Sequence, residues 1–178
     1  MKKKVANVIL VIATAICFYF VMDDSSTRMK DSYKKQYENE KITVQIARDA
    51  RDGGYSLIMV DELNVLLVKS NLVLIDTLPE KNFQKSHIKG AINFQFPNDL
   101  MEKWDKEKVN GKSVEDFKNL LGKDNNKLII FYSNVLKSKR AHNGAMWAKK
   151  LGYDNIIRLC GGIYSWRGAG FVTEKSGG

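Results

Sequence analysis

Residues 133 to 140 gather the side chains best suited to chemistry: Ser133, Asn134, Val135, Leu136, Lys137, Ser138, Lys139 and Arg140. A polar loop that follows a buried strand and opens a helix is an anion cradle. Loop amides and the first unpaired helix N–H groups converge on one spot, and the helix dipole favours negative charge there. Ser133 is the first residue of that loop and carries a hydroxyl. A serine hydroxyl attacks only when an adjacent general base takes its proton. The chain offers two histidines for that role, His87 and His142. Lys137, Lys139 and Arg140 form either a solvated basic rim or a pocket for an oxyanion or an acidic side chain. Val135 and Leu136 at the loop tip are awkward for a small anion and suit a protein contact better.

Sulfur chemistry has two candidates, Cys17 and Cys160. Cys17 lies in an apolar N-terminal stretch, so no disulfide with Cys160 is expected. No zinc-type spacing exists, and neither a metal nor another cofactor is expected. Cys160 reads as a small buried apolar residue or, alternatively, as a displaced reactive thiol.

The elements that must position the loop alternate between strand and helix. Leu128 to Tyr132 is a short apolar run that reads as a buried strand, and the helix after the loop has Ala141, Ala145, Trp147, Ala148 and Leu151 for its inner faces. Upstream, residues 56–59 read as an edge strand. Residues 61–69 read as a helix capped by Asp61. A second apolar strand covers 72–75 and ends at Asp76. A short helix over 80–85, a strand over 90–94 and amphipathic helices over 98–108 and 113–121 follow. Ile156 to Leu159 is the last strand, and Gly161-Gly162 turns into a final helix through Trp166. Short apolar strands alternating with helices predict an α/β fold with a mainly parallel sheet covered on both faces. In such sheets ligands bind beyond the carboxyl ends of the strands, where Ser133 sits.

The formal charge is +9, from 29 Lys and Arg against 20 Asp and Glu. That balance suits solubility and acidic surfaces. Without a basic helix or an aromatic-basic ladder, it does not point to nucleic acid. The N-terminus divides into a basic tip, 1–4, and a nearly unbroken apolar run, 5–22. At about 1.5 Å per residue the run is just long enough to cross a bilayer. No small-x-small cleavage site follows it, so an uncleaved transmembrane anchor is expected. Lys2 to Lys4 on one side and Asp23 and Asp24 on the other orient it. The tip lies in the cytoplasm and the soluble domain on the periplasmic, or extracytoplasmic, side of a cytoplasmic (inner) membrane. Residues 23–54 read as a charged stalk or connector helix stopped by Gly53-Gly54. Tyr33 and Tyr37, with Ile42 and Ile46 beyond, make it more apolar than a pure spacer needs. The soluble domain is expected over 55–174, with 175–178 as a tail.

Three pieces of this sequence resemble the rhodanese (sulfurtransferase) family. Leu74-Ile75-Asp76 followed by Ser86-His87-Ile88-Lys89-Gly90-Ala91-Ile92-Asn93 resembles the stretch in which an Asp ends a strand and a Gly-His-Ile-Pro-Gly-Ala-Ile-Asn run follows. The strand and loop at 128–140 match its active-site loop in position. Leu151-Gly152-Tyr153, Ile156 to Leu159, Gly161-Gly162-Ile163 and Trp166 resemble its last strand, turn and helix. The resemblance implies a five-stranded parallel sheet and a structural role for His87 beside a turn. It also implies that Ser133 stands where the family carries a persulfide on cysteine. Leu78 stands where an arginine is common, Ser86 for a glycine and Lys89 for a proline. Lys139, the sixth residue after Ser133, falls where the related phosphatase and arsenate-reductase loops place an arginine. A hydroxyl cannot carry a persulfide. The expectation is therefore a catalytically inactive, membrane-tethered domain that binds a protein partner as an accessory subunit of a membrane complex. The alternatives are a sulfurtransferase or phosphatase-like enzyme, or an oxyanion-binding sensor, each using the 133–140 loop.

Overall fold

The structure, a computed structural model, describes the backbone of residues 2–69 and 71–176 and the side chains from Thr27 onward. The apolar run at 5–22 lies outside the residues with described side chains. Among the described residues, no helix is long and apolar enough to cross a membrane. Helix α1 (Lys2–Gly53) runs into Gly54, whose φ of +68° ends it. The chain divides into two compact units, residues 1–43 and 44–178. In the first, Met29, Tyr33 and Tyr37 are exposed, Lys41 pairs with Glu38 at 3.4 Å, and Thr43 Oγ1 donates to the Asn39 carbonyl.

The second unit holds the sheet: β1 (Ser56–Ile58), β2 (Leu72–Asp76), β3 (Ile92–Asn93), β4 (Leu128–Tyr132) and β5 (Ile156–Leu159). Their order is β1-β5-β4-β2-β3, and every pairing is parallel. The central strand β4 is apolar on both faces, as a parallel strand between two helical layers must be. Ile129 and Phe131 face one core with Phe94, Phe96, Phe117, Ala141, Ala145 and Ala148. Ile130 and Tyr132 face the other with Leu63, Ile88, Ile163 and Trp166. The first core is covered by α4 (Val114–Leu121), α5 (Arg140–Lys150) and the last turns of α1, where Ile46 and Ala50 are buried. The second is covered by α2 (Val60–Lys69) and α6 (Gly162–Gly168), with α3 (Glu80–Lys85) alongside through Phe83. Helix α5 lies close on the sheet because Gly144 has no side chain. A Cβ there would come within 2.7 Å of the Phe131 ring.

Three local expectations are corrected. Helix α2 begins at Val60, one residue earlier than expected, and its cap is not Asp61. The Glu62 carboxylate reaches back and accepts the Met59 N–H at 2.8 Å, which satisfies one of the orphan donors of the first turn. The strand at 90–94 shrinks to Ile92–Asn93 because Asn93 Nδ2 turns to the Asp76 and Leu78 carbonyls. The helix expected over 98–108 is a loop with a single 3-10 turn at Glu107–Val109. Side chains of α5 take the backbone groups that a helix would have paired. Asn143 accepts from the Met101 N–H and donates to the Pro97 and Asp99 carbonyls, and Trp147 Nε1 donates to the Met101 carbonyl. Helix α4 matches its expectation because Ser113 and Asp116 form a capping box.

Asn143 is fully buried and satisfies three backbone groups. Asn143→Ala is therefore expected to cost about 2–4 kcal/mol, since each abandoned buried group keeps its desolvation penalty. Urea unfolding of the full chain measures this. An unchanged midpoint would show that α5 does not hold the 97–101 loop.

Candidate functional site

The site is built where three carboxyl ends meet: β4, β2 and β5. Ser133 follows Tyr132 directly and is 2% exposed. Its carbonyl accepts the Ile163 N–H at 2.8 Å, and the Asn134 carbonyl accepts the Tyr164 N–H at 3.1 Å. The Gly161-Gly162 turn thus docks on the loop. Gly162 has φ +62°, and a Cβ on it would lie 2.3 Å from the Ser133 carbonyl oxygen. Only glycine both adopts that conformation readily and leaves that gap.

The structure brings together all eight expected loop residues, 133 to 140, in one turn at the N-terminus of α5. Asn134, Val135 and Leu136 are half-buried, Lys137 is exposed, and Ser138 is buried. The amides of Asn134, Val135, Leu136 and Lys137 have no acceptor among the described residues, while Ser138 N–H bonds to the Val135 carbonyl. This is the amide half of an anion cradle. The cationic half is committed elsewhere. Lys139 Nζ lies 2.5 Å from Asp49 Oδ2, in an ion pair with the end of α1. The Arg140 guanidinium donates to the Phe96 carbonyl. Asn98 Oδ1 accepts from Ser138 Oγ and from the Lys139 N–H.

Neither histidine serves Ser133. His142 is 5% exposed, and its Nδ1 shares a 2.8 Å hydrogen bond with the Tyr55 hydroxyl. Burial holds its pKa below the ordinary 6.5, with Asp49 opposing and Lys139 and Arg158 assisting. His87 donates through Nδ1 to the Phe83 carbonyl, stacks on the Phe83 ring, and faces Glu174 at 3.4 Å. Among the described residues no side chain accepts a hydrogen bond from Ser133 Oγ. Cys160 is half-buried. Burial pushes its thiol up, against a partial pull from Arg158, so it remains a thiol at neutral pH.

Four participants were not foreseen from the sequence: Arg158, Asp49, Tyr55 and Asn98. Arg158 is 1% exposed, and its Nη2 donates to the Leu136 and Ser138 carbonyls at 2.9 and 3.0 Å. Its Nε and Nη1 have no hydrogen-bond partner. The signal was present, because an arginine in the run Ile156-Ile157-Arg158-Leu159 is a charge in a buried strand. The other three carry no such mark, being ordinary residues in a charged helix and two loops.

Asp76, at the end of β2, is fully buried with Oδ2 unpartnered and Oδ1 accepting from the Leu78 N–H at 2.8 Å. Burial raises it to about 6, although the Leu78 N–H, Tyr132 and His87 pull the other way. The folded state holds this proton more tightly than the unfolded chain does. The resulting stability is present below about 4 and is lost as pH rises through about 6. In Asp76→Asn that loss disappears. The stability of the variant relative to the unmodified protein is expected to be higher at pH 7 than at pH 4 by roughly 1–3 kcal/mol. Urea unfolding at the two pH values checks the difference, and equal values would place the carboxyl in a solvated setting. Gly162→Ala should lower stability by roughly 2–4 kcal/mol through clash and strain. A thermal midpoint equal to that of the parent would mean the turn does not seat on the loop.

A family model described as "Rhodanese-like domain" matches residues 59–169. No protein with a curated description matches the chain. Among solved structures, a thiosulfate sulfurtransferase from Pseudomonas aeruginosa aligns at 17% identity and TM-score 0.54, covering 71% of this chain and 21% of that one. A 30 kDa polysulfide-sulfur transferase homodimer from Wolinella succinogenes aligns at 14% and 0.53, covering 78% and 90%. A Rhodopseudomonas palustris protein of unknown function, described as a possible tyrosine phosphatase, aligns at 18% and 0.52, covering 75% and 93%. At these identities the structural likeness establishes the fold alone. The family model spans more than half of the chain and takes in β2 to β5, the 133–140 loop and the Gly161-Gly162 turn, and on that ground the protein belongs to the rhodanese-like domain family.

Proposed function

We propose that this chain is a membrane-tethered rhodanese-like domain that has lost sulfur transfer and works as a protein-binding module, as an accessory subunit of a membrane complex. The observation that carries the reading is Ser133. It stands at the position where the family resemblance calls for cysteine, and no described side chain takes its proton. A thiolate exists at neutral pH in such a cradle, whereas a hydroxyl needs a base and cannot hold a persulfide. His142 is committed to Tyr55, His87 to Phe83 and Glu174, and Cys160 stays protonated.

The docking surface in this reading is the loop rim. Val135 and Leu136 are half-buried, Lys137 is exposed, and Tyr164, whose N–H bonds to Asn134, is 57% exposed. An aromatic beside two aliphatics and a cation is the composition of an interface anchor. The membrane part of the reading is supported by the apolar run 5–22 between Lys2 to Lys4 and Asp23-Asp24, a charge order that favours an extracytoplasmic domain.

The test is direct. In thiosulfate–cyanide assays the full chain should show no sulfur transfer above Ser133→Ala. Crosslinking in native membranes should recover a larger assembly, which Leu136→Asp weakens at least about tenfold without moving the thermal midpoint. Turnover that depends on the Ser133 hydroxyl would return the protein to the enzymes, and a solitary monomer in the membrane would remove the docking role.

A further inference from the structure

The last turns of α1 do more than cover the first core. Ile46 and Ala50 are buried there, and Asp49 lies between them on the same inward face, 9% exposed. Its carboxylate is fixed from two sides: Oδ1 accepts from Gln45 Nε2 at 2.9 Å, and Oδ2 meets Lys139 Nζ at 2.5 Å. Burial works against the charge, but the bonds from Lys139 and Gln45 outweigh it and hold Asp49 below the ordinary carboxylate range. A second tie runs in parallel, since Tyr55, just past the end of α1, bonds to His142 in the first turn of α5.

The charges around this contact do not balance. Arg158 lies under the loop with Nη2 on two loop carbonyls and with Nε and Nη1 unpartnered. Lys137 is exposed and Arg140 donates to the Phe96 carbonyl; among the described residues Asp49 is the one carboxylate bonded to Lys139, and none is bonded to Arg158. The loop presents four amides without acceptors, from Asn134 to Lys137, a buried guanidinium without an anion, and a lysine whose anion comes from a different element. Asp49 contacts Lys139 and not the four amides, so it takes up the charge that an external oxyanion at the loop would use.

We infer that Asp49 is an internal substitute ligand. The end of α1 latches the loop by giving Lys139 a carboxylate, and the loop takes an external oxyanion of phosphate size only when that latch is released. The inference rests on the loop being the working surface of the protein, as proposed above, and adds that its access is set by α1. Helix α1 continues unbroken N-terminal to the latch. A partner that displaces the last turns of α1 acts on the loop through the Asp49–Lys139 ion pair.

The experiment is calorimetric titration of the full chain with inorganic phosphate at constant ionic strength, since salt screens such contacts. Asp49→Asn keeps the shape of the side chain and removes its charge. It is expected to bind phosphate at least about tenfold more tightly than the unmodified protein. Adding Lys139→Gln should abolish the gain. Equal affinities in the unmodified protein and Asp49→Asn, no binding by a folded Asp49→Asn, or a gain that persists without Lys139 would each overturn the latch. A second measurement needs no variant. Amine acetylation of the unmodified chain should modify Lys139 at least about tenfold more slowly than the exposed Lys137, because its ammonium is held in the ion pair. Equal rates would show that the contact is not maintained. Both readouts are independent of sulfur transfer and of partner capture, so failure here and failure of the docking role are told apart.

Discussion

Arg158 sits at the carboxyl end of β5 with 1% of its surface exposed, and one nitrogen of its guanidinium donates to the carbonyls of Leu136 and Ser138. Burying a cation is costly, and hydrogen bonds to a charged donor, each worth about 1.5–3 kcal/mol, are what make it tolerable. The consequence is directional. Two loop carbonyls turn inward to the guanidinium, and the amides from Asn134 to Lys137 are left without protein acceptors. Burial dominates the protonation of His142, Tyr55 and Cys160; the Arg158 charge adds to it at His142 and opposes it at Tyr55 and Cys160.

Around that centre the loop is gripped from three more directions by groups of different chemistry. Ile163 and Tyr164, just past the Gly161-Gly162 turn, supply amides to the Ser133 and Asn134 carbonyls, Asn98 caps Ser138 and Lys139, and the end of α1 supplies Asp49. A loop determined from so many sides keeps its shape whatever residue stands first in it. The scaffold energy lies in the two apolar layers against β4, where each large side chain contributes about 1.5–3 kcal/mol on burial, not in the loop.

The limits of reading local pattern show at residues 98–108. Their spacing suits an amphipathic helix, yet Asn143 and Trp147, more than 40 residues on, claim the backbone groups of Pro97, Asp99 and Met101. Local propensity is a weak prior, and tertiary hydrogen bonds override it where they satisfy the same donors and acceptors. His142 depends on a distant partner in the same way: Tyr55, 87 residues away in sequence, supplies the hydrogen bond that lets it be buried.

What the sequence determined by itself was the strand and helix succession outside residues 98–108, the parallel sheet and the loop. Each is written in short-range apolar periodicity and in the Asp76, Gly161-Gly162 and Trp166 signatures, all close along the chain. The tertiary structure alone decided where the loop's charges go. Lys139 finds Asp49 across 90 residues, and Arg158 finds the carbonyls of Leu136 and Ser138 across a strand boundary. Nothing in the spacing of a lysine or an aspartate says which opposite charge it will meet. That choice is made by packing, when burial of Ile46 and Ala50 carries Asp49 to the helix start that bears Lys139.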